Sequence, residues 1–274
     1  MSDARQYLEE QNLQEAMQSA VKQVITERPA NAIKRVGELL IEAAPKSPSP
    51  MKVVILCTST SDFQGHASGA WSEEVTGPYY TFTGKGCEVT LASIKGGKVP
   101  IDAFSLAEGF KTENDTQFET SGDIKMLESS VPVSTLTPDT FDCIFLAGGH
   151  GTVVDFPDGC ADIVSKAAEA GKVVGAVCHG PMGLLKAKVG GKPLVAGKKV
   201  CGFSNAEEAA VIGMRDFKEK IQSLEDELKA AGGEYVPGEN LFAPNATRDG
   251  MLITGQNPAS SVKAAELCLE AMGL

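Results

Sequence analysis

Histidine is scarce in this chain of 274 residues, with only His66, His150 and His179, and none of its seven cysteines stands in a Cys-x-x-Cys pair. A zinc knuckle or a disulfide scaffold needs clustered ligands or paired cysteines, so neither organises this protein. The cysteines at 57, 87, 143, 160, 178, 201 and 268 are odd in number and sit mostly in apolar stretches. That usage fits small buried hydrophobes in a reducing compartment. No apolar run approaches the ~18 residues of a membrane-spanning helix. The first residues carry Asp3, Glu9 and Glu10 and no apolar signal core, so secretion is not expected and the cytoplasm is. Cations are outnumbered, and the net charge of −11 repels phosphate backbones and anionic lipid. Nucleic acid and membrane are therefore not expected as partners.

What remains is an ordinary globular composition, 42% hydrophobic and 22% charged, long enough for one or two domains. The run Pro45-Lys-Ser-Pro-Ser-Pro50 divides the chain: a segment 1–44, a semi-extended linker 45–50, and a domain 51–274. Before the linker, Leu13, Met17, Ala20, Val21 and Val24 make one apolar helix face, and Ile33, Val36, Leu39 and Leu40 make a second after a break at Arg28-Pro29. A hairpin this short has too little core to stand alone. Two outcomes fit the periodicity: a four-helix dimer, or an arm packed on the main domain.

After the linker, β-branched runs at 51–57, 87–92, 143–147, 173–177 and 251–254 alternate with helical stretches at 158–170, 218–231 and beyond Asn257-Pro258. Such runs belong to strands buried on both faces. The expected class is α/β, a doubly wound parallel sheet preceded by a small helical hairpin.

The strongest local signal is Ala176-Val-Cys178-His179-Gly180-Pro, where a buried strand runs into a nucleophile flanked by small residues. This is the pattern of a nucleophile elbow. A cysteine at a strand end is more often core than reagent, but the elbow and the adjacent histidine favour chemistry here. A helix following the elbow would lower the thiol pKa into the range ~3.5–7.5 of reactive cysteines. No histidine follows His179, which excludes the papain order and the amidotransferase order. The base must be His179, His150 or His66. The loop Gly148-Gly149-His150-Gly151 could bind an oxyanion through backbone N–H groups. It fails as a dinucleotide fingerprint because Val154 stands where the third glycine belongs, so no cofactor and no metal are expected.

Four motifs, Ala147-Gly-Gly-His-Gly-Thr, Ala176-Val-Cys-His-Gly-Pro, Gly202-Phe-Ser-Asn-Ala-Glu-Glu208 and Thr254-Gly-Gln-Asn-Pro-Ala-Ser260, resemble the ThiJ/PfpI superfamily, and in particular its glyoxalase III and heat-shock chaperone branch. The resemblance runs over residues 51–274 and implies a flavodoxin-like fold. It also implies a nucleophile Cys178, a base His179, a triad carboxylate Glu208 and a pocket carboxylate Glu74 rather than Glu73. Gly149 and His179 would supply oxyanion donors, with His150 beside the substrate. The implied activity is a lyase-type, glutathione-independent conversion of methylglyoxal to lactate, with protein deglycation as related chemistry. A small aldehyde would be the ligand. Two other readings stand beside it: a redox sensor or holdase chaperone, and a docking protein with a passenger enzyme domain. Residues 214–231 do not align, so the lid is left open.

The segment Tyr7-Leu-Glu-Glu, with Glu27-Arg-Pro-x-Asn31-x-Ile33 and Leu39-Leu40, resembles the Dpy-thirty motif and the docking domain of cAMP-dependent kinase regulatory subunits. That resemblance implies a homodimer whose groove takes an amphipathic helix of a scaffold protein, in settings that include the ciliary axoneme.

Overall fold

The computed structural model describes residues 13–43, 49–215, 217 and 221–274. Two compact units emerge, residues 1–49 and 50–274. The Tyr7 motif and most of the proline-rich linker lie outside the described residues.

In the first unit, α1 (Leu13–Glu27) and α2 (Ala32–Ala43) form a hairpin. Pro29 disfavours helical geometry at Arg28, which turns left-handed at φ 50°, and the Asn31 side chain accepts from Lys34 N at 3.0 Å to start α2. Ala20, Val24 and Leu39 are buried between the helices, with Val36 and Leu40 packed against them. A four-helix dimer is expected from the sequence to pair through Leu13, Met17, Val21, Val24, Ile33, Val36 and Leu40; of these, Val24, Val36 and Leu40 instead serve the hairpin's own seam. The outward apolar face instead carries Met17, Val21, Ile25, Ile33 and Ile41, with Ile25 68% and Ile33 87% exposed.

The second unit is built on a seven-stranded sheet. Its elements in chain order are β1 (Lys52–Cys57), α3 (Ser72–Thr83), β2 (Glu88–Ser93), α4 (Glu113–Ser121), β3 (Val131–Pro132), β4 (Cys143–Leu146), α5 (Thr152–Gly159), α6 (Ala161–Glu169), β5 (Val173–Val177), α7 (Asn205–Arg215), α8 (Leu224–Ala230), β6 (Ala246–Asp249), β7 (Leu252–Gly255) and α9 (Ser261–Met272). The sheet order is β6-β7-β5-β4-β1-β2-β3. All neighbours pair in parallel except β6 and β7, so the fully parallel expectation fails at one edge. Every residue of β4, β5 and β7 is buried, as required of strands covered on both faces. The chain winds outward from β1 to β3 and then returns to β4 on the other side of β1. That switch of direction opens a crevice at the carboxyl ends of the strands, where α/β sheets place their ligands.

Two helices differ from the sequence reading. The stretch 158–170 breaks at Cys160, where α5 ends and α6 begins. Within the stretch 218–231 the described residues become helical at Leu224, where the Ser223 side chain accepts from Asp226 N and caps the helix. Residues 218–220 lie outside the described set.

Candidate active site

Cys178 follows β5 directly and adopts φ 58°, a left-handed conformation that costs a non-glycine residue energy. The sheet holds it there: Cys178 N donates to Gly255 O at 3.0 Å, and Phe203 N donates to Cys178 O at 2.9 Å. A side chain on Gly180 would put its Cβ 2.3 Å from Leu146 O, so the sharp turn needs glycine two residues on. The elbow is present, but no long helix follows it. Residues Gly180–Leu184 form a single 3-10 segment.

The His179 ring swings back beside the thiol. Its Nδ1 lies 3.4 Å from Cys178 Sγ, and its Nε2 lies 2.7 Å from Glu208 Oε2. His150 Nε2 meets the other oxygen, Glu208 Oε1, at 2.9 Å. One carboxylate at the start of α7 therefore joins two imidazoles whose ring centroids are 4.4 Å apart. Burial alone would raise the Glu208 pKa, but the two histidines hold it well below the usual carboxylate range. His150 is pulled down to about 4 by burial and by His179, so it is a neutral imidazole. Glu208 bridges the Nε2 atoms of both rings, which turns His179 Nδ1 toward the sulfur.

On the opposite side, Glu74 comes from the first turn of α3 and is fully buried. Gly148 N donates to its Oε2 at 2.6 Å. Its other oxygen, Oε1, is buried with no hydrogen-bond partner among the described residues, and the Cys178 thiol lies near enough to pull the carboxyl pKa down. A Cβ at Gly148 would fall 2.6 Å from Glu74 Oε2, so glycine is what lets the carboxyl reach the backbone. Burial pushes Glu74 up to about 8, against the pull of the thiol and of Gly148 N–H.

The thiol pKa corrects the sequence reading. Burial, and then the Glu74 charge, raise Cys178 well above the ordinary cysteine value, against the N–H groups of His179 and Gly149 that point at the sulfur. The expected helix dipole is missing because the helix is missing. Cys178 and Glu74 form a proton-sharing pair in which Glu74 ionises first and its charge raises the thiol.

The remaining candidates separate clearly. Glu207 does not face solvent: it is buried and accepts from Ser204 N, Phe242 N, Gln256 Nε2 and Asn257 Nδ2, at 2.8–3.1 Å. It ties the start of α7 to the 254–260 motif and so positions Glu208. His66 lies on a short strand with its ring 5.3 Å from Phe217 and makes no contact with the thiol group. Sequence reasoning missed the wall of the site, Trp71, Phe104, Phe110, Phe203 and Phe242, because aromatic residues in separate loops carry no periodicity. It also missed Arg215, at the end of α7, which pairs with buried Asp102 at 2.6 Å and so ties α7 to the turn at Asp102.

Among the described residues, His150, His179 and Glu208 are the one set of three ligand-type groups close enough together to hold a cation. Both imidazole–carboxylate spacings are those of charge-assisted hydrogen bonds, which already occupy the carboxylate oxygens.

The sequence model of the DJ-1/PfpI family matches residues 66–271. A Saccharomyces cerevisiae protein named glutathione-independent glyoxalase HSP31 is 32% identical over 237 residues, covering 82% of this chain and 99% of the relative. The crystal structure of glyoxalase III from Candida albicans superposes with a TM-score of 0.74 at 30% identity, covering 81% of this chain and 97% of that one. The Francisella tularensis Rapid Encystment Protein of 24 kDa gives 0.73 at 31% identity, with coverage of 81% and 99%.

Proposed function

The chain belongs to the DJ-1/PfpI family, and from that premise we propose that it is a glutathione-independent glyoxalase that converts a 2-oxoaldehyde to the 2-hydroxy acid. The observation that carries the reading is the thiol of Cys178 held between a buried carboxyl, Glu74, and a ring nitrogen, His179 Nδ1, 3.4 Å from the sulfur. Relatives named as glyoxalases support it.

Sulfur attacks the aldehyde carbon while the ionised form of Glu74 takes the thiol proton and passes it to the new alkoxide, giving a hemithioacetal. The N–H groups of Gly149 and His179 stabilise the oxygen charge as it forms. His179 Nδ1 then removes hydrogen from the former aldehyde carbon, and Glu208 offsets the imidazolium charge. Glu74 carries the hydroxyl proton to the neighbouring oxygen, and His179 returns its proton to the neighbouring carbon. The first carbon has lost two electrons and the second has gained them, so no external oxidant is needed. Water hydrolyses the resulting thioester and restores the thiol. Lactate formation from methylglyoxal without glutathione tests the proposal; an inactive purified protein would sink it.

The exposed apolar face of the hairpin supports a second element. We infer that Met17, Val21, Ile25, Ile33 and Ile41 are covered by a second copy of this chain, and that the four-helix bundle offers a groove to an amphipathic helix. The motive is physical: contiguous apolar side chains on so small a unit gain free energy only when removed from water. No helix among the described residues is long and apolar enough to cross a membrane.

A further inference from the structure

The cavity lined by Cys178, His150 and His179 has a volume of about 440 Å³. That lies in the range of ~300–1,000 Å³ typical of sites that enclose drug-sized ligands. The methyl group of methylglyoxal would occupy a small part of it. Five aromatic side chains line the wall: Trp71, Phe104, Phe110, Phe203 and Phe242. Trp71 stands edge-on to Phe110, with centroids 5.6 Å apart, and Phe104 closes the same cluster at 4.9 Å from Phe110. Such rings favour a flat apolar or aromatic guest.

Charge is equally informative. Among the described residues, no lysine or arginine lines the cavity. Arg215 lies over the Phe104 ring, but its guanidinium is committed to Asp102 at 2.6 and 3.1 Å. Glu73, the one lining carboxylate among the described residues, already accepts from Thr112 Oγ1 at 2.5 Å and from Asn114 Nδ2 at 3.1 Å. A phosphorylated or carboxylated aldehyde would lose its hydration without finding a cation, and a polyhydroxy aldehyde would find few hydrogen-bond partners.

We propose that the cavity above Cys178 selects uncharged 2-oxoaldehydes with a bulky apolar substituent, aryl or medium-length alkyl, over triose-derived methylglyoxal. The assignment of turnover rests on the glyoxalase reading; the assignment of ligand class rests on the cavity alone.

Two measurements separate these. The first compares kcat/KM for mandelate formation from phenylglyoxal and 2-hydroxyoctanoate formation from 2-oxooctanal with that for lactate formation from methylglyoxal. At least a tenfold advantage is expected for the larger substrates, the low end of what one methylene gives in an apolar pocket, ~10–200-fold. Phe110→Ala and Phe104→Ala should each lower the ratio of phenylglyoxal to methylglyoxal kcat/KM severalfold. The second uses Trp71, the only tryptophan in the chain, as a reporter in the cavity wall. Acetophenone, which has no aldehyde to react, should perturb its fluorescence at a concentration at least tenfold below that of acetone. Methylglyoxal turnover without an advantage for the larger aldehydes would overturn this proposal and leave the glyoxalase reading standing. Selective acetophenone binding with no aldehyde turned over would remove the glyoxalase reading and keep the ligand class. Absence of both selective binding and turnover would remove both.

Discussion

Glu74→Gln separates the charge of the buried carboxyl from its shape. The amide can still accept from Gly148 N–H, so the fold around the elbow should persist, but it can no longer carry a proton. Loss of one positioned acid/base group typically slows turnover by ~10²–10⁴-fold. The thiol should respond in the opposite direction. Above about pH 8 the wild-type carboxyl is ionised and faces Cys178, raising its pKa. Two unit charges ~4 Å apart repel by ~4 kcal/mol at an effective dielectric of about 20. Relief of even a third of that is about 1.4 kcal/mol, one pKa unit and roughly tenfold more thiolate. At pH 9, therefore, the variant should alkylate at Cys178 about ten times faster with iodoacetamide while turning over aldehyde at least a hundredfold more slowly. Peptide mapping locates the label and lactate release gives the rate. If alkylation slows together with turnover, Glu74 acts through shape and the proton-sharing pair is wrong.

Cys178→Ser should abolish lactate formation, and near-wild-type activity in that variant would rule out the covalent route. Glu208→Gln removes the only group that accepts from both imidazoles, so turnover should fall by ~10²-fold or more; a change within threefold, taken as roughly the noise of such assays, would show His179 needs no orienting carboxylate. His150 is held neutral with a pKa depressed from 6.5 to about 4, so the unfolded chain takes up a proton first as pH falls. Its contribution is fully present above pH 6.5 and is lost toward pH 4, up to about 3 kcal/mol. Urea unfolding should show the wild type losing that much relative to His150→Gln between pH 7 and pH 4, and parallel profiles would contradict it. Ile25→Asp combined with Ile33→Asp should halve the mass seen in sedimentation of the full chain, whereas an unchanged mass would place the dimer contact elsewhere.

Strands β1, β2, β4, β5 and β7 were legible because each is a short β-branched run bounded by turn residues, and such a run is too short for a buried helix. The antiparallel edge strand Ala246–Asp249 was not, since it is half-exposed and its Arg248 and Asp249 read as turn. The helix at 224–230 was overextended for a related reason: charge periodicity continued upstream of Ser223, and only the cap marks where the backbone turns. In the hairpin, spacing identified the apolar positions but not their partners. Heptad-like patterns fix which residues share a stripe, while the crossing of α1 on α2 decides that Val24 and Leu39 are spent inside and Ile25 and Ile33 are left outside.

The site divides along the same line. Residue types and loop order brought forward Cys178, His179 and His150, because an elbow and a glycine loop at adjacent strand ends must converge on one crevice, whereas Glu208 and Glu74 came only from the resemblance to the ThiJ/PfpI superfamily. Their electrostatics could not be read in the same way. A local rule assigned the thiol a low pKa from a helix that turns out to be a short 3-10 segment, while Glu74, more than a hundred positions earlier in the chain, meets the sulfur inside the core. A pKa is set by everything that packs around a group, and most of that packing is distant in sequence. The same holds for Glu207, whose buried network with Gln256 and Asn257 accounts for the 254–260 motif better than any direct role at the thiol. Fixing the first turn of α7 fixes Glu208, and Glu208 fixes the ring nitrogen that faces the sulfur. The chemistry at Cys178 thus depends on a hydrogen-bond chain that starts at residues carrying no reactive group of their own.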